Sequence, residues 1–101
     1  MSRVRQWALA RTARAPEALR QRVLERLGDP ADDAIGGEAL AAAGRALLED
    51  VMRGPGDRSV ALDLLAADAL ITLALLARAE VAPETLGRFA ESLLMSPAPA
   101  R

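Results

Sequence analysis

Residues 61 to 77, ALDLLAADALITLALLA, constrain the fold more than any other part of this chain, because all but three of these seventeen residues are apolar. As a helix, residues 59 to 79 would be about 30 Å long, which matches the hydrocarbon thickness of a bilayer. Three environments suit such a helix: a membrane, the interior of a helical bundle, or a site that uses the aspartates at positions 63 and 68.

A membrane span is disfavoured by the composition of this run. A central aspartate costs about 2.5–3.5 kcal/mol on insertion scales, the run is rich in Ala, which is less hydrophobic than Leu, and no other segment could accompany the span. We therefore expect no membrane span. A helix that is apolar on nearly all sides is instead expected to be surrounded by other helices, or to form the contact between protomers of an oligomer.

The rest of the chain is divided by prolines and glycines into segments of helical length, with no alternation of period two that would indicate strands. The apolar residues are mostly Ala, Leu and Val, with one Trp and one Phe, which favours helix. Beside the central segment, helices are predicted at residues 16–27, 37–53 and 83–95, and an Arg-rich N-terminal helix at about 1–14.

These segments predict an all-α protein: a small bundle of four to five helices around the central, nearly all-apolar helix at about 58–79. Residues 1–95 are expected to form a single helical domain, and residues 96–101 a flexible Pro/Ala tail. Pro16 and Gly28 should begin and end the second helix, and Asp57 or Ser59 should cap the central one. Gly44 lies within an apolar stripe, which predicts close packing of a neighbouring helix.

The two aspartates of the central helix have different expected roles. Asp63 lies near the first turn, where the helix dipole favours a carboxylate. Asp68 lies mid-helix and 140° around the axis, so the two carboxylates cannot form a catalytic pair on one face. Asp68 and its i+4 neighbour Thr72 are predicted to be buried polar residues, and a buried Asp68 would need a partner from another element.

Catalysis and cofactor binding have little support in the sequence. Cysteine and histidine are both absent, which excludes thiolate sites, the usual zinc and haem ligands, and the commonest general base near neutral pH. Asp29, Asp32 and Asp33 could offer oxygens to a hard cation, but their order does not match a calcium loop, and Asp33 is expected to cap the following helix. We expect no enzyme activity, no metal and no cofactor.

Charge is unevenly distributed along the chain. Residues 1 to 27 hold seven Arg and two Glu, a net charge of +5, whereas residues 28 to 101 hold six Arg and twelve acids, a net charge of −6. In one interpretation the N-terminal arginines pack over the acidic body, and one of them could reach Asp68. In the other they bind an acidic protein surface, nucleic acid or anionic lipid. The candidate partner-binding residues are Arg3, Arg5, Trp7, Arg11 and Arg14.

The resulting functional hypothesis is a small non-catalytic module for protein interaction or assembly. It would associate with itself or with a partner protein through apolar helix faces and the basic N-terminus. The alternative is an accessory protein that binds nucleic acid through its arginine arm, although the sequence pI of about 5.4 is acidic for that class. The absence of a secretory signal favours the cytoplasm, and the use of Arg with no Lys is typical of a GC-rich bacterial genome.

Overall fold

The structure is a computed structural model that describes residues 1–31, 36–54 and 56–94. This part of the chain is helical and contains no strand, which confirms the predicted all-α bundle. The helices are α1 (Arg3–Arg11), α2 (Glu17–Leu27), α3 (Glu38–Arg53), α4 (Arg58–Val81) and α5 (Leu86–Leu94), with a 3₁₀ turn at Pro83–Thr85 between the last two. The predicted C-terminal tail, residues 96–101, lies outside the described residues.

Local sequence explains most of the helix ends. Glu17 begins α2 directly after Pro16, and Gly28 ends it with φ of 67°, a left-handed value that favours glycine. Asp57 caps α4, where its carboxylate accepts a hydrogen bond from the Ser59 amide at 3.0 Å. The predicted ends of both helices are therefore confirmed to within a residue or two.

Two helices differ in extent from their predictions. α1 ends at Arg11 instead of continuing to residue 14, and the Thr12 hydroxyl donates a hydrogen bond to the Ala8 carbonyl at 2.8 Å. The last helical segment is divided: Pro83 begins a 3₁₀ turn, and regular α-helix begins only at Leu86. Proline suits the first turn of a helix because backbone N–H groups in that turn have no intrahelical acceptor, so the N–H that proline lacks would form no hydrogen bond there.

The hydrophobic core lies between α4 and the first three helices. Its largest fully buried side chains are Leu40, Leu47, Leu70 and Val23. Gly44 is buried where α3 crosses α4, and a Cβ atom at this position would lie 2.9 Å from Ile71 Cδ1 and 3.2 Å from Leu70 Cβ. The predicted close packing at Gly44 is confirmed.

The central helix is not covered on all sides, so the first of its two expected environments, complete enclosure by other helices, is not observed. Its buried residues are Ala66, Ala67, Leu70, Leu73, Ala74 and Ala77, which share one face, while Leu64, Leu65 and Leu76 are exposed on the other. The molecule measures 39 × 37 × 20 Å. Its smallest dimension equals about two helix diameters, so the molecule is two helices thick in this direction. Other helices therefore pack on one face of α4 and at its sides, and the opposite face stays open.

Candidate protein-interaction site

The basic N-terminal helix docks on the body of the protein. Val4 and Ala8 are buried, with exposed fractions of 2% and 0%. The Arg5 guanidinium donates hydrogen bonds to the carbonyl oxygens of Leu24 at 2.8 Å and Gly28 at 2.7 Å. These carbonyls lie at the end of α2, where the helix dipole favours a cation, and the Leu24 carbonyl also accepts a hydrogen bond from the Gly28 amide at 3.0 Å. Arg5 therefore holds α1 against α2.

A second contact joins α1 to the end of α4. The Trp7 indole Nε1 donates a hydrogen bond to Glu80 Oε1 at 3.1 Å. The Arg11 guanidinium pairs with the other oxygen of the same carboxylate and lies 4.9 Å from the centre of the Trp7 ring, a cation–π contact. Trp7 and Arg11 are therefore bonded within the chain.

The arginines of α2 also face acids of the body. Arg22 Nη1 lies 2.9 Å from Asp63 Oδ1, a contact between charges whose geometry is poor for a hydrogen bond. Arg26 Nη2 lies 2.6 Å from Asp50 Oδ2, and this hydrogen bond, with the charge of Arg26, holds the pKa of Asp50 below its ordinary value. The N-terminal arginines thus pack over the acidic body, and the acids they reach are Asp50, Asp63 and Glu80.

An open groove of about 410 Å³ lies beside α1, between this helix and the end of α4. Its lining is mainly apolar, from Val4, Trp7, Leu40, Ala77 and Val81, with Arg3 and Glu80 among the polar residues. Of the predicted partner-binding residues, the structure brings Arg3 and Trp7 to this groove. Arg5 bonds the end of α2, Arg11 does not line the groove but pairs with Glu80, which does, and Arg14 lies exposed beyond the end of α1.

The prediction that Asp68 and Thr72 are buried is wrong, because both side chains are exposed. They lie on the face of α4 that is opposite the core, so Asp68 needs no protein partner to offset the cost of burial. Two other carboxylates of α4 do meet an arginine: Asp63, near the start of the helix and on the packed side, and Glu80, at its end.

Asp68 and Thr72 belong to a continuous row on the open face of α4, which we name the α4 seam. Its members recur at alternating intervals of four and three residues, from residue 61 to residue 79. The seam consists of Ala61, Leu65, Asp68, Thr72, Leu75 and Ala79. Of these, Leu75 and Ala79 are partly exposed and the other four are exposed. Such intervals are the heptad spacing with which one helix packs against another.

Two further leucines widen the apolar surface on the two sides of the seam. Leu64 is 44% exposed and Leu76 is 43% exposed, while Leu65 within the seam is 57% exposed. Sequence reasoning left open that the apolar helix forms a contact between protomers, but it did not locate this surface because it expected Asp68 and Thr72 to be buried. The sequence did contain a signal for this surface. Asp68 and Thr72 are polar residues at i and i+4, and such a pair marks the solvent-exposed face of an otherwise apolar helix.

The length of α4 permits one other environment. Among the described helices, α4 is long and apolar enough to cross a membrane, and 33% of its most apolar window is buried in the protein. Core helices of water-soluble proteins have the same length and composition, so this property is weak evidence for a span.

The described residues contain no group of three or more acidic side chains that could hold a metal ion. Asp29 accepts a hydrogen bond from the Ser2 amide at 2.6 Å, which lowers the pKa of its carboxyl. Asp32 and Asp33, the other two acids considered as ligands of a hard cation, lie outside the described residues, as does the expected cap by Asp33.

Comparison of the chain with protein families, curated proteins and solved structures found no match. The geometry of its surfaces is therefore the basis for assigning a function.

Proposed function

We propose that this protein is a small, non-catalytic helical module that binds protein through the α4 seam. The observation that carries the proposal is the exposure of three leucines, Leu64, Leu65 and Leu76, on a helix whose other face forms the core. Several exposed leucines on one face of a small domain indicate an interaction site, whereas single exposed apolar residues need no explanation.

The seam also has the geometry of a helix-binding surface. Its length from residue 61 to residue 79 is about 27 Å at 1.5 Å per residue. A partner helix would place its own apolar side chains between those of the seam, as in a coiled coil. Because α4 is already folded against the core, binding does not have to form this helix, which lowers the entropic cost of association.

The basic N-terminal helix is the weaker candidate surface. Arg5 bonds two carbonyls of the α2 end, and Arg11 is shared between Glu80 and the Trp7 ring. An outside partner would have to compete with these contacts. The nucleic-acid alternative stays a prediction, and a titration of duplex DNA at low ionic strength tests it.

Photo-crosslinking of the full chain inside the cells that make it tests the proposal. A photoreactive residue replaces Leu65 in one variant and Met52 in another. Met52 is a matched control because it is a 78% exposed apolar residue on α3, outside the seam. We expect protein adducts at position 65 that a second substitution, Leu76→Glu, removes. Equal adduct yields at positions 65 and 52 would contradict the proposal.

A further inference from the structure

We infer that the partner of the α4 seam is a second copy of this chain, with the two α4 helices antiparallel and their symmetry axis passing beside residue 70. This inference rests on the proposed function and names the occupant of the seam. It follows from an internal symmetry in the order of the seam residues.

The seam reads the same, by residue character, from either end. Positions equidistant from residue 70 carry matching side chains: Ala61 with Ala79, Leu65 with Leu75, and Asp68 with Thr72. Two antiparallel helices related by a two-fold axis place residue i of one copy level with residue 140 − i of the other. In that register small residues face small ones, leucines face leucines, and the polar pair meets in the middle.

The heptad positions agree with this pairing. A heptad repeat has two core positions. One of them is occupied by Leu65, Thr72 and Ala79, and the other is occupied by Ala61, Asp68 and Leu75. In an antiparallel pair, each core layer combines one position of each kind. When the two helices cross at residue 70, each of the six seam residues lies level with a residue from the other core position. A closed two-fold interface requires this reciprocal pairing.

The polar layers supply complementarity and fix the register. The Thr72 hydroxyl of each copy is level with the Asp68 carboxylate of the other, so it can donate a hydrogen bond to an ionised acceptor. Symmetry produces this pair twice. A shift by one heptad would put each carboxylate among apolar side chains, and burying a polar group without a partner is costly. Single polar positions in coiled coils select register in this way.

A parallel pairing lacks this complementarity. There the two copies of Asp68 would be level with each other, so that like charges would meet at the interface, while the two Thr72 hydroxyls would meet one turn away. Juxtaposed carboxylates repel when both are ionised. The antiparallel arrangement is therefore the one that the seam favours.

Disulfide trapping tests the register, and the chain has no cysteine to interfere. Leu65→Cys, Leu75→Cys and the double variant are made in the full chain and oxidised mildly. In the antiparallel register, position 65 of one copy is level with position 75 of the other. Two copies of position 65 are about 15 Å apart along the axis, beyond the roughly 7 Å limit between Cα atoms of a disulfide. Positions 65 and 75 of one chain are separated by the same distance.

The expected result is a covalent dimer of the double variant that forms at least tenfold faster than that of either single variant. A Leu65→Cys dimer that forms as fast as the double-variant dimer would show parallel pairing and overturn the inference. No covalent dimer from any variant would also overturn it.

Light scattering over a concentration series provides a second readout without cysteines. Leu65→Glu is expected to weaken dimerisation at least a hundredfold, whereas Met52→Glu should leave it unchanged. Both side chains are exposed, so neither charge enters the core, and circular dichroism checks the helical content. A monomeric wild-type chain at high micromolar concentration would overturn the inference.

The inference and the proposed function can fail separately. Crosslinks from position 65 only to other proteins, with no trapped dimer, would overturn self-pairing and leave the interaction module intact. The absence of both adducts and dimers would overturn the two together.

Discussion

The guanidinium carbon of Arg78 lies 4.2 Å from the centre of the Phe89 ring, a cation–π contact that joins α4 to α5. The same side chain donates hydrogen bonds to the Gly36 carbonyl and to Glu38 Oε2, each at 2.9 Å, and to Thr85 Oγ1 at 3.3 Å. Only 18% of it is exposed. One arginine thus connects the start of α3, the end of α4 and the last helix.

Arg78→Met should lower the free energy of unfolding by about 2–3 kcal/mol, because several hydrogen bonds from a charged group and a ring contact are lost together. For a domain of this size that corresponds to a Tm lower by roughly 10–20 °C. Arg58→Met is the control, since Arg58 is exposed at the start of α4. Calorimetry that gave equal losses for the two variants would contradict this role of Arg78.

Gly44 and Ile71 should be coupled in stability. Gly44→Ala adds a methyl group that would lie 2.9 Å from Ile71 Cδ1. Overpacking costs roughly 1–3 kcal/mol, and the better helix propensity of Ala returns about 1 kcal/mol, so we expect a net loss of about 1 kcal/mol. Ile71→Val removes Cδ1. In a double-mutant cycle measured by urea unfolding, the double variant should lose less stability than the sum of the single variants. Additive losses would show that the methyl group is accommodated elsewhere.

How far the sequence predicts this protein depends on the range of the contacts involved. The cap at Asp57 and the end of α2 at Gly28 were predicted correctly because each is set by neighbouring residues. The bond from Arg78 to the Gly36 carbonyl spans 42 residues, so no local pattern indicates it.

The exposure of Asp68 was mispredicted for a related reason. Periodicity shows that α4 is apolar, but it does not show how many helices are available to cover it. In a molecule about 20 Å thick, the covering helices reach one face only. The candidate site was therefore found by combining the heptad spacing with the observed burial, and neither alone was sufficient.

Acid should destabilise the protein through Asp50. The hydrogen bond from Arg26, and the charges of Arg26 and Arg53, lower the pKa of Asp50 below its ordinary value of 3.8. A carboxyl with a lowered pKa in the folded state adds stability that is fully present above the unfolded value and is lost as pH falls through the folded value. The loss should thus begin near pH 4 and increase below it.

Urea unfolding at a series of pH values measures this contribution. Asp50→Asn should be less stable than the wild type at pH 7, and the difference should shrink below pH 4. Arg26→Gln should flatten the same part of the pH profile, because it removes the main cause of the lowered pKa. If both variants kept the wild-type dependence of the free energy of unfolding on pH, the acid sensitivity would come from other carboxyls.

The polar layers of the α4 seam should limit the strength of self-association while they fix its register. Asp68→Leu combined with Thr72→Leu replaces two hydrogen-bonded pairs by apolar contacts and removes two carboxylates that would lose hydration on association. We expect the Kd of the dimer to fall at least tenfold, which corresponds to about 1.4 kcal/mol. The stability of the single chain should change little because both positions are exposed.

Register should change together with affinity in this variant. Without the polar layers, other registers become accessible. When Leu65→Cys and Leu75→Cys are added to this variant, the disulfide between position 65 of one copy and position 75 of the other should therefore form less selectively. Sedimentation equilibrium and disulfide trapping on the same variant separate the two effects. Weaker association of this variant would mean that Asp68 and Thr72 supply affinity, and not only register.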